Sequence, residues 1–211
     1  MTITFYDCAT APSPRRARIL LAEKGVAHET VAIDLRRNEQ LGDAYRAINP
    51  QCTVPALRLD DGVVLTDNAA IAAYLEARYP EPALLGSTPL EKAEIASWNW
   101  RIEFEGLLAI AEAMRNSAPA LKDRALAGPV GYAQIPQLAQ RGLDRLHHFF
   151  ATLDAHLAAR RTIASDRFSI ADITAVVAVD FARVVRVKPD DRHPHLLRWR
   201  AAMAERPAIA L

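Results

Sequence analysis

The chain has 211 residues, of which 51% are hydrophobic, enough apolar material for a core and too much for a disordered chain. Lys plus Arg (26) and Asp plus Glu (25) leave a net charge of +1, which excludes a general polyanion binder; no nucleic-acid partner is expected. The longest apolar run, Ala69 to Leu75, is far short of the ~20 residues of a membrane span, and two cysteines exclude a disulfide scaffold or a Cys-rich zinc domain.

In chain order, Ile3–Tyr6 is short and β-prone, with no leader pattern ahead of it, so a cytoplasmic location without a membrane partner is expected. A helix follows, opened by Pro14 and closed by Gly25, with Ala17, Leu20, Leu21 and Lys24 at helical spacing. His28–Leu35 sets Val31, Ile33 and Leu35 at period two, which predicts a strand. Ala56–Leu59 and Val63–Leu65 flank Asp60-Asp61-Gly62, the pattern of a hairpin with a three-residue loop. A helix from about Asp67 buries Ala70, Ile71, Tyr74 and Leu75 and ends at Tyr79-Pro80-Glu81-Pro82.

From Leu90 onward only helices are predicted. Leu90 to about Asn116 reads as one long helix, and Ser117–Tyr132 as a loop or broken helix. Ile135–Ala159, Ser169 to about Val185 and His195–Glu205 follow. The expected organisation is a small α/β domain over residues 1–80, a linker over 81–89 and an all-α domain over 90–211.

Three segments of the first domain carry polar groups suited to a ligand. Thr10-Ala11-Pro12-Ser13-Pro14 lies at a helix N-terminus, which favours an anion such as a thiolate; the plainer role for Ser13 is an N-cap. Val54-Pro55, after Thr53, opens a strand and is compatible with a cis bond, although trans dominates such pairs. Asp67-Asn68, after Thr66, opens the next helix, where an N-cap is again the plainer role.

Taken in order, these segments resemble the cytosolic glutathione transferases. Arg15 to Gly25 is similar to that family's first helix, Asn49-Pro50-Gln51-Cys52-Thr53-Val54-Pro55 to its NP-x-x-x-VP segment, and Phe168 to Ile173 to its capping motif. The resemblance covers essentially the whole chain. It implies a thioredoxin-like α/β domain followed by an all-α domain. It also implies glutathione as co-substrate with no resident cofactor, a homodimer, and a detoxification reaction in which the thiolate attacks a small hydrophobic electrophile. Ser13 is then the expected thiol-activating residue, with Thr10 and Tyr6 as alternatives. Thr53, Val54, Pro55, Asp67 and Asn68 would hold glutathione, and Phe104, Leu108 and Met114 would line the electrophile pocket, or else lie in the core. Asp67-Asn68 stands where the family has Glu-Ser, and Thr53 where Lys or Gln is common. The alternatives are a glutathione- or ligand-binding module with little turnover, a glutathione-dependent peroxidase and a disulfide oxidoreductase. No Cys-x-x-Cys supports the last, and the Ser-Ser-Cys loop of the maleylacetoacetate isomerases is missing. His147, His148, His156, His193 and His195 have no carboxylate or Cys at ligand spacing, so no metal is expected.

Overall fold

The computed structural model describes residues 3–211. β1 (Ile3–Asp7) is an inner strand of a four-stranded sheet ordered β2-β1-β3-β4. It pairs in parallel with β2 (His28–Ala32) and antiparallel with β3 (Ala56–Arg58), which pairs antiparallel with β4 (Val64–Thr66). A parallel pair needs a crossover, and α1 (Pro12–Glu23) supplies it, burying Ala17, Ile19, Leu20 and Leu21. Gly25, at φ +62°, lets Val26 N bond back to Leu21 O and ends the helix. Lys24, at the end of the expected apolar stripe, is buried. Its Nζ donates to Glu76 Oε2 (2.6 Å), Tyr79 O (2.7 Å) and Pro82 O (2.6 Å), so all three protons of the ammonium are used.

β2 is shorter than its period-two pattern predicts. It stops at Ala32 because the Asp34 side chain caps a 3₁₀ turn at Leu35–Arg37. Val31 is left exposed on this edge strand, while Ile33 and Leu35 pack with Tyr6, Tyr45 and Ala56. A one-turn helix, α2 (Asp43–Arg46), follows, and α3 (Asn68–Arg78) buries Ile71, Ala72 and Leu75 rather than the predicted Ala70 and Tyr74.

Contacts divide the described residues into two units. The first runs to Pro82 and takes in Ala127–Gly131 and Leu211; the second comprises Ala83–Leu126 and Tyr132–Ala210. In the second, the predicted single helix is α4 (Pro89–Arg101), a π-helical segment at Ile102–Leu107 and α5 (Leu108–Arg115). Thr88 and Glu91 form a capping box at its start. α6 (Pro136–Leu157) buries Leu146, Phe149, Phe150, Leu153 and Leu157. α7 (Ile170–Phe181) is buried on almost every side, as its largely apolar composition requires, and α8 (Pro194–Ala204) follows. Asp172, in the first turn of α7, accepts from Ser169 N (3.1 Å), Ser169 Oγ (3.2 Å), Ile163 N (2.9 Å) and Trp199 Nε1 (3.2 Å). Burial pushes its carboxyl above the ordinary range, against these hydrogen bonds.

Candidate functional site

Strand register brings the three polar segments of the first unit together. Tyr6 is paired with Ala56, and Ala56 with Thr66. The residues after β1, those before β3 and those after β4 therefore leave the sheet at one end. That end carries Cys8 to Ser13, Thr53 to Pro55 and Asp67 to Asn68, beside the end of β2, where Asp7 pairs with Ala32.

Ser13 is the second residue of α1, not its N-cap; Ala11 occupies the cap position and contributes no side-chain bond. Pro12 and Pro14 carry no N–H and Arg15 N is bonded to Ala11 O (3.4 Å), so Ser13 supplies the first-turn amide as well as a half-buried hydroxyl. Arg18 clamps this loop to the sheet with a two-pronged bond to Asp7 (2.7 and 3.0 Å). Thr10 Oγ1 lies 3.6 Å from Cys8 Sγ. Tyr6 points into the core, edge-on to Tyr45 at 5.9 Å between ring centroids.

The Val54–Pro55 bond is cis, and the sheet ladder starts only at Ala56. The backbone amide and carbonyl of Val54 thus lie outside the strand pairing. Its position is set by residues that the sequence reading gave no role at the site. Thr53 O accepts from Tyr45 Oη (2.7 Å) and Asn49 Nδ2 (2.8 Å), and Asn49 Nδ2 also reaches Thr53 Oγ1 (3.2 Å). Burial pushes the Tyr45 phenol up to about 12, so it remains a donor throughout the neutral range.

Asp67 has φ +63° and ψ 161°, a region nearly reserved for glycine. An Asp held there costs about 1–3 kcal/mol, and such strain gathers at functional sites. Its carboxylate caps α3 by accepting from Ala70 N (3.0 Å), and Asn68 is buried behind it as the first helical residue. Gln40, between β2 and α2, is buried with its side-chain carbonyl oxygen unpaired among the described residues. A buried acceptor of that kind calls for a partner, and only its burial, not its residue type, reveals it.

Comparison with known proteins agrees with this arrangement. The family model described as "Glutathione S-transferase, N-terminal domain" matches residues 10–78, and that described as "Glutathione S-transferase, C-terminal domain" matches residues 113–207. Glutathione S-transferase 2 of Saccharomyces cerevisiae is 34% identical over 207 residues, covering 97% of this chain and 86% of its own. The chain belongs to the glutathione S-transferase family. A crystal structure of a glutathione S-transferase domain-containing protein from Marinobacter aquaeolei VT8 is 35% identical with a TM-score of 0.88, covering 98% of this chain and 99% of that one. A maleylacetoacetate isomerase of Pseudomonas aeruginosa is 46% identical over 90 residues, 42% of each chain. These likenesses establish a thioredoxin-like first unit and a helical second unit of the transferase fold.

The helical unit of this transferase separates the three residues expected to line an electrophile pocket. Met114 lines a cavity of about 660 Å³. Phe104 and Leu108 do not line it; they are exposed, and Phe104 stacks on Trp100 at 5.1 Å and lies under the Arg145 guanidinium at 4.8 Å. His156 is packed on Trp98 at 3.9 Å between centroids, and its Nε2 faces Ile163 O at 2.7 Å. No group of three or more His, Cys, Asp or Glu side chains among the described residues is placed to hold a metal ion.

Proposed function

We propose that the chain is a glutathione transferase that binds glutathione at the end of the first unit's sheet and activates its thiol with Ser13. The observation that carries this reading is the register. It sets a helix-terminal hydroxyl and amide at the same sheet end as a Val54 backbone outside the strand pairing and a strained helix start at Asp67-Asn68. An extended tripeptide pairs with Val54 as an added strand would. Its γ-glutamyl carboxylate meets the N-terminus of α3, where the Asn68 amide donates. Asp67, an exposed anion, faces the ammonium of the same residue.

A free thiol titrates near ~8.5, so lowering it by about two units requires ~2.7 kcal/mol in favour of the thiolate. A hydrogen bond from the Ser13 hydroxyl to charged sulfur supplies about 1.5–3 kcal/mol. The helix terminus, with the Ser13 amide, adds about 0.3–1 kcal/mol. The thiol proton passes to water, and the sulfur then forms a bond to the electrophile as the leaving group departs or, on addition to a multiple bond, as a proton from water is taken up by the neighbouring atom. A homodimer is expected, supported by the exposed Trp100, Phe104 and Leu108 face. A cytoplasmic setting without membrane or nucleic-acid partners fits the composition, and no described helix is long and apolar enough to cross a membrane.

The test is a glutathione titration at neutral pH, followed by the ultraviolet absorbance of the thiolate. A saturable signal is expected, and Ser13→Ala should cut it by about tenfold or more while affinity measured by calorimetry changes much less. An undiminished signal in Ser13→Ala would move the role to Thr10. Binding without any thiolate signal in the unaltered protein would favour a non-catalytic binding module, the reading to which the Asp67-Asn68 departure lends support.

A further inference from the structure

Ser13 stands at the end of a loop with little backbone support of its own. Asp7 O accepts from Ile33 N (2.7 Å), so the sheet holds the chain up to that residue. From Cys8 to Ala11, the one backbone bond inside the loop among the described residues is Ala11 N to Cys8 O (3.0 Å). Pro12 and Pro14 have no N–H to give, and Arg15 N reaches Ala11 O only at 3.4 Å. A hydroxyl that must meet a sulfur in a fixed geometry needs its loop held from elsewhere.

Arg18, in the second turn of α1, supplies that hold. Its Nε and Nη2 donate to the two carboxylate oxygens of Asp7 (3.0 and 2.7 Å), Nη2 also reaches Cys8 O (3.5 Å), and Nη1 donates to Leu211 O (2.9 Å). Cys8 O thus receives the loop's own amide and the guanidinium together. Leu211 belongs to the first unit, although 193 positions separate it from Arg18 in the sequence. The side chains of Arg18 and Asp7 are only 17% and 11% exposed, so the pair is shielded from water and keeps a fixed geometry, unlike an ion pair in solvent. A planar fork engaged at all three nitrogens joins the last residue of β1, the first residue of the loop and α1 into one piece.

We propose that Arg18 is a positioning residue for thiol activation and that Leu211 is the third point of its clamp. With its donors spent on the chain itself, Arg18 acts through the loop, fixing both ends of the path that leads from the sheet to the Ser13 hydroxyl. The inference rests on the thiol-activating role of Ser13 proposed above. Docking of Leu211 makes that activation depend on a residue outside every segment expected to hold glutathione.

The test follows the thiolate absorbance of bound glutathione against pH, with affinity measured by calorimetry. Arg18→Ala should raise the midpoint of the thiolate signal by about one pH unit and cut the signal at neutral pH about threefold, while glutathione affinity changes by less than about twofold. In the Ser13→Ala background the same change should have no further effect, because its influence passes through the hydroxyl. Arg18→Lys keeps the charge without the fork and should recover only part of the signal. Deleting Leu211 should move the midpoint in the same direction by a smaller amount. If the melting temperature shows Arg18→Ala unfolded, Arg18→Met combined with Asp7→Asn replaces it, since that pair leaves no lone buried carboxylate. An unmoved midpoint in Arg18→Ala or its replacement, a shift that persists in the Ser13→Ala background, or full recovery with Arg18→Lys would each overturn the positioning role and leave the Ser13 reading standing. An unmoved midpoint without Leu211 would overturn the part given to that residue. A thiolate signal absent from the unaltered protein, or undiminished in Ser13→Ala, would overturn the Ser13 reading and this inference with it.

Discussion

Tyr45 acts on the site through one carbonyl. Its hydroxyl and the Asn49 amide both donate to Thr53 O, so the peptide before the Val54–Pro55 bond is held by two buried side chains. Tyr45→Phe removes one neutral hydrogen bond, about 1 kcal/mol. Steady-state kinetics should show the KM for glutathione rising about fivefold, with kcat nearly unchanged, because the lost bond positions the ligand and touches no reacting atom. Since burial raises the phenol to about 12, Tyr45 should add no alkaline limb to the activity profile below that range. His156 gives a different pH dependence. Burial between Trp98 and the Ile163 carbonyl lowers its ring below the ordinary range, with Arg160 and Arg101 acting in the same direction and the hydrogen bond opposing. As pH falls, the unfolded chain takes up that proton before the folded one. The contribution of His156 is therefore whole above ~6.5 and is lost as pH drops through the window beneath it. The melting temperature should fall as pH drops below about 6.5, and His156→Gln should flatten that slope in calorimetric scans.

The helices of the second unit approach one another where side chains are absent. A Cβ added at Gly142 of α6 would come within 2.5 Å of Ala109 O and 2.6 Å of Ala113 N, both backbone atoms of α5 that cannot step aside. Gly142→Ala should cost about 1–3 kcal/mol and lower the melting temperature by roughly 3–10 °C, despite alanine's better helix propensity. Gly106 makes a second close approach, to the Phe149 ring, inside the π-helical segment. That segment interrupts a helix that looks uniform by periodicity. Periodicity sees apolar spacing, whereas the wider turn accompanies an approach that only folding creates. β2 shows the same limit, because its period-two pattern runs on through Leu35 while the Asp34 cap stops the strand.

For the whole molecule, the exposed Trp100, Phe104 and Leu108 lie four residues apart on one helical run, leaving an apolar stripe facing solvent in the single chain. If a second copy covers it, light scattering should give twice the 23.2 kDa chain mass, and Trp100→Glu should return the value to one chain. The order of strands and helices, the transition from an α/β unit to helices alone, and the loop residues that gather at the sheet end were legible in the residues. Spacing, proline and glycine placement, and helix-start chemistry are local properties, and they set local structure. Other features needed the folded chain. Tyr6 becomes core because its strand face meets Tyr45, and Lys24 is buried because Glu76, Tyr79 and Pro82 supply acceptors from far along the chain. The parting of Met114 from Phe104 and Leu108 depends on which faces of α5, α6 and the turn after α7 come together. The elements and the family follow from the residues alone, since both are written in contiguous stretches of chain. Which polar groups are paired and which are not is settled only on folding, since that depends on neighbours the chain supplies from a distance.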